Sequence, residues 1–500
     1  MEIKMLENEY WYGTAVAHGR EMPLHKESHL AIDLRVNQTV NQTMPLLVSS
    51  KGRYLWHAQG FYLQVENGLL ISDREILLQT GFDNLKGAYL AAMANHFPFS
   101  SSAPNEALFE KIIYNTWIEL TFFQSQAAVL AYAKGLIDQQ LPAGVLMIDD
   151  GWSNSYGDWR FHSGNFPQPK QMISELKALG FEVMVWVCPF VTADTVAYRE
   201  AAALDILIKA ADGQPLITKW WNGYSAVLDL SHPQADAWLT QQLDQLLALG
   251  IAGFKFDAGD SLYYPADMVT FGHTSPDEQS NAWANFGSKY SFNEFRVTAK
   301  AGGYPLLQRL SDKDHAWGAT GIASLIPDTL LQGITGHAYS CPDMIGGGEY
   351  LNFQEITHLD QELFVRHAEI ACLLPAMQFS AAPYHLDPPY LAAIQRSLAV
   401  RQSYLPEIMQ LVAHAQQTGE PIIRYLSYEF PAEPVETITD QFMLGADLLV
   451  APIYQKGHRK RHVYLPKGRW TLAEKSYESK GERVEVEMPL GVPAVFRRHR

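Results

Sequence analysis

The feature that most constrains this chain begins after residue 105, where short apolar segments with polar ends alternate with stretches of helical periodicity. "KIIYNTW" precedes "SQAAVLAYAKGLIDQQ", "GVLMIDDGW" precedes "PKQMISELKALG", and "FEVMVWVCPF" precedes "TVAYREAAALD". The helical "PQADAWLTQQLDQLLALG" then leads into "GFKFDAGD". Strands that recur with a helix between them cannot join as tight hairpins, so they pair in parallel and use the helices to cover their apolar faces. "PLLQRLSD", "AYSCPDM", "AMQFS" and "PIIRYLSY" complete a set of eight candidate strands. Eight such units predict an α/β fold, a (β/α)8 TIM barrel over residues 106–430.

The flanks have a different texture. Residues 1–105 hold segments such as "LAIDLRV" and "YLWHAQGFYLQVEN" divided by Gly, Asn and Lys turns, which predicts an N-terminal β-sandwich-like domain. "FPFSSSAPNEALF" has neither period and marks the boundary. Residues 431–500 return to alternation with Gly and Pro turns, so a small C-terminal β-domain is expected there.

Composition narrows the function. The formal net charge is -16, and the lone basic cluster, "KGHRKRH" at 456–462, reads as a solvated hairpin face. Such a chain lacks the footprint of a nucleic-acid binder and is repelled by anionic membranes, so a neutral small-molecule substrate fits better. The start "MEIKMLENEYWYG" has no basic or hydrophobic leader character, and no secretion signal is expected from it. Cys188, Cys341 and Cys372 are widely spaced in apolar surroundings, as suits buried thiols in a reducing compartment, and a cytoplasmic location is expected. On that reading the N-x-T sequons at Asn37 and Asn41 are accidental. The chain has no G-x-S-x-G, H-E-x-x-H, Walker A or paired C-x-x-C pattern. His315, His358 and His367 lack ligand spacing, so no metal is assigned and no cofactor is implied.

In a barrel the loops after the strands carry the active site. Asp149 and Asp150 end the second candidate strand, Asp257 the fourth, Asp312 the fifth and Asp343 the sixth, with Trp117, Trp152 and Trp186 at or near strand ends. An Asp at one strand end is as readily a turn former, but capping gives no reason for four strand ends to carry one. Carboxylates between aromatic walls suit a sugar, whose faces stack and whose hydroxyls donate hydrogen bonds. Two carboxyls of different ionisation also serve glycoside hydrolysis. Lys255 lies two residues before Asp257 on the same strand face and favours its ionised form, which suits a nucleophile. Asp312 is the candidate for the protonated partner, with Asp314 a competitor, and Asp260 reads as a loop or supporting residue. "IGGGEY" at 345–350 lacks dinucleotide-site spacing and reads as a close-approach loop near the pocket.

These residues resemble glycoside hydrolase family 31. "GFKFDAGD" resembles its nucleophile strand, "LMIDDGW" the motif that holds the nonreducing sugar, and "CPDMIGG" the motif that follows the acid/base region. "RLSDKDHAWG", "LLPAMQFS", "DQFMLGADLLVAPI" and "VYLPKGRW" extend the likeness from about residue 110 to the end. The "FKFDAG" wording and the R-L-x-D-x-D-x-x-W-G arrangement are similar to the myogenesis-regulating glycosidase branch, which is α-galactosidase-like. The resemblance implies a retaining, exo-acting α-glycosidase with α-galactose as the expected sugar, Asp257 as nucleophile and Asp312 as general acid/base. It further implies that Asp149, Asp150, Trp186, Lys255, Arg296 and Asp343 surround the first sugar. Typical α-glucosidases of the family read Gly-Asp-Asn where this chain reads Ser311-Asp312-Lys313. Rival readings are an α-glucosidase, α-xylosidase or sulfoquinovosidase, an eliminating α-glucan lyase, and a sugar-binding protein without catalysis. The expected partner is a small oligosaccharide or glycoside, and oligomeric state stays open, a homo-oligomer included.

Overall fold

Eight short parallel strands form the centre of the computed structural model, which describes residues 1–354 and 359–499. They are β1 (Ile113–Asn115), β2 (Val145–Ile148), β3 (Glu182–Val187), β4 (Gly253–Phe256), β5 (Asn293–Phe295), β6 (Gln308–Arg309), β7 (Ser340–Cys341) and β8 (Gln378–Phe379). Their order is β7-β6-β5-β4-β3-β2-β1-β8, with every neighbour parallel. Between β7 and β8 the barrel is closed by the Ile345 N–H donating to the Gln378 carbonyl (2.8 Å) and the Ala376 N–H to the Ser340 carbonyl (3.2 Å).

The surrounding helices are α1 (Gln126–Asp138), α2 (Pro169–Ala178), α3 (Pro233–Leu249), α4 (Pro276–Gly287), α5 (Leu325–Ile334), α6 (Gln361–Ala371) and α7 (Pro388–Thr418). Their ends follow local chemistry. Ser125 and Asp360 accept backbone N–H bonds at the starts of α1 and α6, and Ser275 with Glu278 forms a reciprocal cap on α4. Proline opens α2, α3, α4 and α7, where its missing donor costs nothing. Gly250 and Gly419 stop α3 and α7 in the left-handed conformation. The inner faces, Val129, Tyr132, Ala133 and Leu136 of α1 and Leu239, Leu243 and Leu246 of α3, are buried.

Two strand assignments made from the sequence are corrected. Within "PIIRYLSY", Ile423–Arg424 pairs antiparallel with Phe442–Leu444 in the C-terminal sheet, so it is not a barrel strand. The missing strand is β5, Asn-Glu-Phe, and the eighth is the "AMQFS" segment. β5 escaped detection because it has no apolar run: its buried Glu294 is stabilised by an ion pair with Arg309 and a hydrogen bond from Gln378. The link 296–307 to β6 is irregular rather than helical, so no helical period sets the two strands apart. Asp312 therefore follows the sixth strand and Asp343 the seventh.

Ahead of the barrel lie two four-stranded antiparallel sheets. One contains Glu2–Lys4, Leu30–Asp33, Tyr62–Glu66 and Leu69–Ser72, the other Trp11–Ala15, Thr43–Ser49, Arg53–Trp56 and Leu77–Thr80. A six-stranded antiparallel sheet follows the barrel, beside a two-stranded ribbon, Lys460–Leu465 with Glu482–Glu487. The ribbon carries half of the basic residues of that cluster: exposed Lys460 meets Glu485 at 3.0 Å, and the largely covered Arg461 meets Asp440 at 2.6 Å. Among the described residues no helix is long and apolar enough to cross a membrane.

Arg401 of α7 is buried and donates to the carbonyls of Phe109, Cys372, Leu374 and Pro375 at 2.6–3.2 Å, tying the approach to β8 onto the helix layer. Arg401→Met removes every one of these donors while keeping most of the volume. The variant is expected to lose about 3 kcal/mol or more, read as an unfolding transition at lower urea concentration.

Candidate active site

The β2 and β4 ends supply the first layer of the site. Parallel register sets Trp186 beside Lys255 and Lys255 beside Glu294, so residues from three strands share one level of the barrel. Lys255, 3% exposed, donates to Asp149 at 2.7 Å and stands 3.9 Å from Asp257. Asp257 is 7% exposed and accepts from Arg296 Nε at 2.9 Å and from the Trp186 indole N–H at 3.0 Å. Its other support is local: Ala258 takes a left-handed φ of +54°, and its N–H donates to Asp257 Oδ1 at 2.8 Å. A non-glycine residue in that region costs about 1–3 kcal/mol, a strain held in place by the surrounding packing. Arg296 is fixed in turn by two bonds to buried Asp260 (2.8 and 3.0 Å) and lies over the Trp221 ring at 5.0 Å.

The β6 and β7 ends supply a second layer. Arg309 donates through one nitrogen to Asp312 at 2.8 Å and to Asp343 at 2.7 Å, and its Nε meets Glu294 at 3.2 Å. Asp343 is fully buried and also accepts the N–H groups of Lys313 (2.6 Å) and Gly348 (2.7 Å). A Cβ on Gly348 would come within 2.8 Å of both Asp312 and Asp343, so the Gly-rich loop does make the close approach expected of it. His315 and His367 both hydrogen-bond the Gly346 backbone, whereas His358 lies outside the described residues.

These layers surround a cavity of about 290 Å³, close to the lower bound of about 300 Å³ for small-molecule sites. Asp149, Asp150, Trp186, Lys255, Asp257, Arg296 and Asp312 all line it, as does Trp117. Asp343 and Asp314 are not among the described lining residues; Asp343 reaches the cavity through Arg309 and Asp312. Trp152 stands behind the wall, its indole donating to the Trp186 carbonyl at 2.8 Å.

Six carboxyls, Asp149, Asp257, Asp260, Glu294, Asp312 and Asp343, meet three cations here, Lys255, Arg296 and Arg309, and Asp150 lines the same cavity. The cations are unevenly shared. Burial pushes the Asp257 carboxyl up, but the charges of Arg296, Lys255 and Arg309 outweigh it and hold Asp257 below the usual carboxylate range. Among the described residues Asp150 has no cation partner in the network. Burial and the neighbouring Asp149 push it up to about 7, although Tyr156, Gly151 and Asn222 donate to it at 2.7–3.0 Å. The site thus holds Asp257 ionised and favours the neutral form of Asp150, so carboxyls lining one cavity differ in charge.

Several lining residues escaped the sequence reading. Trp221 and Asn222 come from the turn between the strands Ile217–Trp220 and Gly223–Val227, and Phe122 from the segment after β1; Glu349 and Tyr350 end the Gly-rich loop that was expected near the pocket, though neither was singled out. Trp117, Phe122 and Tyr350 pack edge to face at 5.0–5.9 Å and form an aromatic wall. Val40 comes from a loop between two strands of the N-terminal sheets, and only the aromatic character of Trp117, Phe122 and Tyr350 gave any local signal.

Comparison with known proteins identifies the family and the fold. Residues 107–411 match the glycosyl hydrolases family 31 TIM-barrel domain and residues 419–499 the family's C-terminal domain. The chain is 34% identical over 386 residues to the myogenesis-regulating glycosidase of Mus musculus, covering 75% of this chain and 54% of that protein. It is 28% identical over 366 residues to the sulfoquinovosidase of Escherichia coli strain K12, covering 68% and 53%. The chain thus spans about half the length of these curated relatives. A GH31 dextranase of Flavobacterium johnsoniae, complexed with glucose, shares the fold over 100% of this chain and 66% of that one, with a TM-score of 0.86 at 18% identity. A GH31 α-xylosidase from a soil metagenome, complexed with xylose, does so over 99% and 79%, with a TM-score of 0.83 at 21% identity.

The ion network has a testable pH signature. Asp257, depressed when folded, contributes stability that is present above its unfolded value near pH 4 and lost as pH falls through the folded value. Lys255→Met strands buried negative charge and is expected to cost about 3–5 kcal/mol at pH 7. It also raises the Asp257 carboxyl, so part of that loss returns as acid neutralises the charge. Urea unfolding at pH 7 and pH 5 measures this, and an equal deficit at both values contradicts it.

Proposed function

The chain belongs to glycosyl hydrolase family 31, and from that membership we propose that it hydrolyses terminal α-linked hexosides with retention, α-galactosides first among them. The observation that carries the reading is the shared cavity: the buried, ionised Asp257 and the half-exposed Asp312 both line it. In the proposed double displacement Asp257 attacks the anomeric carbon while Asp312 protonates the departing oxygen. The glycosidic bond breaks as a glycosyl–Asp257 ester forms. Asp312, now a carboxylate, takes a proton from water, whose oxygen attacks the anomeric carbon and releases free sugar and the Asp257 carboxylate. No redox step or cofactor enters this balance.

The residues around the pair fit an exo-acting enzyme on a neutral sugar. The small cavity holds the terminal unit, and the aromatic wall of Trp117, Phe122 and Tyr350 offers ring faces to stack on. Asp149 and Asp150 are placed to accept hydroxyl hydrogen bonds, and Asp343 acts on Asp312 through Arg309. Among the described lining residues the cations Lys255 and Arg296 are each tied to carboxylates, which supports a neutral hexose over a sulfonated one. The α-galactose preference is supported by the "FKFDAG" and Ser311-Asp312-Lys313 wording that sets the chain beside its α-galactosidase-like branch. The three buried free thiols fit a cytoplasmic, reducing setting.

Proton NMR of reactions with α-galactosyl, α-glucosyl, α-xylosyl and α-sulfoquinovosyl aryl glycosides tests the reading. The expected result is α-galactose as the first-formed anomer. A β-anomer first overturns retention, an anhydro-sugar indicates elimination, and preference for another glycoside replaces the sugar. Binding without turnover on any of them removes the enzyme reading. Asp257→Ala is expected to abolish hydrolysis, and Asp312→Ala to slow it by about 10²–10⁴-fold on substrates with poor leaving groups. Full turnover in either variant on aryl α-galactosides refutes the assignment.

A further inference from the structure

We infer that Asn41, on a loop contributed by the N-terminal sheets, is a positioning residue for Asp312, an inference that rests on the acid/base role proposed above. Asn41 is 1% exposed and grips the residue directly before Asp312 at two points. Its Oδ1 accepts the Ser311 N–H at 2.8 Å, and its Nδ2 donates to Ser311 Oγ at 2.9 Å. Asp312 itself has a side chain 36% exposed and a protein ion pair with Arg309. Its aim is therefore set by Arg309 and by the backbone that Asn41 clamps.

The loop that presents Asn41 is built to hold still. Asn37 Oδ1 accepts the Thr39 N–H (2.9 Å) and the hydroxyls of Thr39 (2.8 Å) and Thr43 (2.7 Å), while Asn37 Nδ2 donates to the Asn41 carbonyl (2.8 Å). Gln42 Nε2 donates to the Arg309 carbonyl at 2.9 Å and also to the Arg296 carbonyl. The Val40 carbonyl accepts from Arg296 Nη1 at 2.8 Å. One loop from outside the barrel thus touches the supports of both proposed reacting carboxyls. The two N-Q-T repeats have a structural use as well: Asn37 and Asn41 are buried, so in the folded protein neither presents its amide nitrogen to a glycosylating enzyme.

A clamp on the acid has a consequence that a general inter-domain brace lacks. An acid that is out of line slows loss of leaving groups that need a proton and spares those that do not. The measurement is kcat/KM, which reports the first displacement, for an α-galactosyl disaccharide and for α-galactosyl fluoride. For Asn41→Ala the expected loss is about tenfold or more on the disaccharide and under about threefold on the fluoride, with the thermal midpoint recorded alongside. Ser311→Ala removes the Oγ contact and leaves the N–H bond, so it is expected to show the same selectivity at smaller size, and it carries the comparison if Asn41→Ala does not fold. Equal losses on the two substrates, or none, overturn the inference while leaving the glycosidase reading intact. A wild-type protein that turns over neither α-galactoside nor any other α-glycoside sinks that reading first, and the inference with it.

Discussion

A buried anion at position 257 is the demand around which the barrel mouth is organised. A carboxylate taken out of water must find compensating charge and donors nearby, or it takes up a proton. Here Lys255, Arg296, the Trp186 indole and the Ala258 N–H provide them from three strand ends. Each cation then needs its own anion, which Asp149 and Asp260 supply, and the network spreads across the mouth. Such networks contribute little net stability compared with apolar packing of the same volume. Their persistence in the core of a 500-residue chain with ample apolar residues is an argument for chemistry rather than for stability.

The same logic explains why the two layers differ. Arg309 serves Glu294, Asp343 and Asp312 at once, so the carboxyl nearest solvent shares its cation with two buried competitors. Asp257 shares less, and its net depression follows from the combined charge of Arg296, Lys255 and Arg309. The unequal sharing is what parallel strands make possible: side chains two residues apart on one strand, and level with each other on the next, fall into one ring of the barrel. Loops from outside that ring complete it, and the N-terminal Asn37–Gln42 segment reaches in to bond the 296, 309 and 311 backbones.

Legibility followed the kind of force involved. β2, β3 and β4 are apolar runs covered by amphipathic helices, and hydrophobic period reveals such elements directly. β5 is held by the buried Glu294–Arg309 pair and by Asn293, whose amide bonds the Tyr290 and Pro305 carbonyls, and no period marks it. "PIIRYLSY" has the right texture for a barrel strand yet belongs to the next sheet, because texture reports burial and not the neighbour. The carboxylates at strand ends were legible for a further reason: an Asp after an apolar run is conspicuous, and Lys255 on the same face as Asp257 is local information.

The sequence by itself determined that parallel strands carry a row of strand-end aspartates with Lys255 beside Asp257, since strand period and nearest-neighbour charge are properties of adjacent residues. Only the tertiary structure decided that Asp260 would clamp Arg296, that Asp343 would sit behind Arg309 rather than in the cavity, and that Asn41 would reach Ser311. Those contacts join residues as much as 270 positions apart. Hydrogen bonds and ion pairs act over a few ångströms in space, and which distant residues come that close is set by how the barrel closes and how its flanking sheets dock.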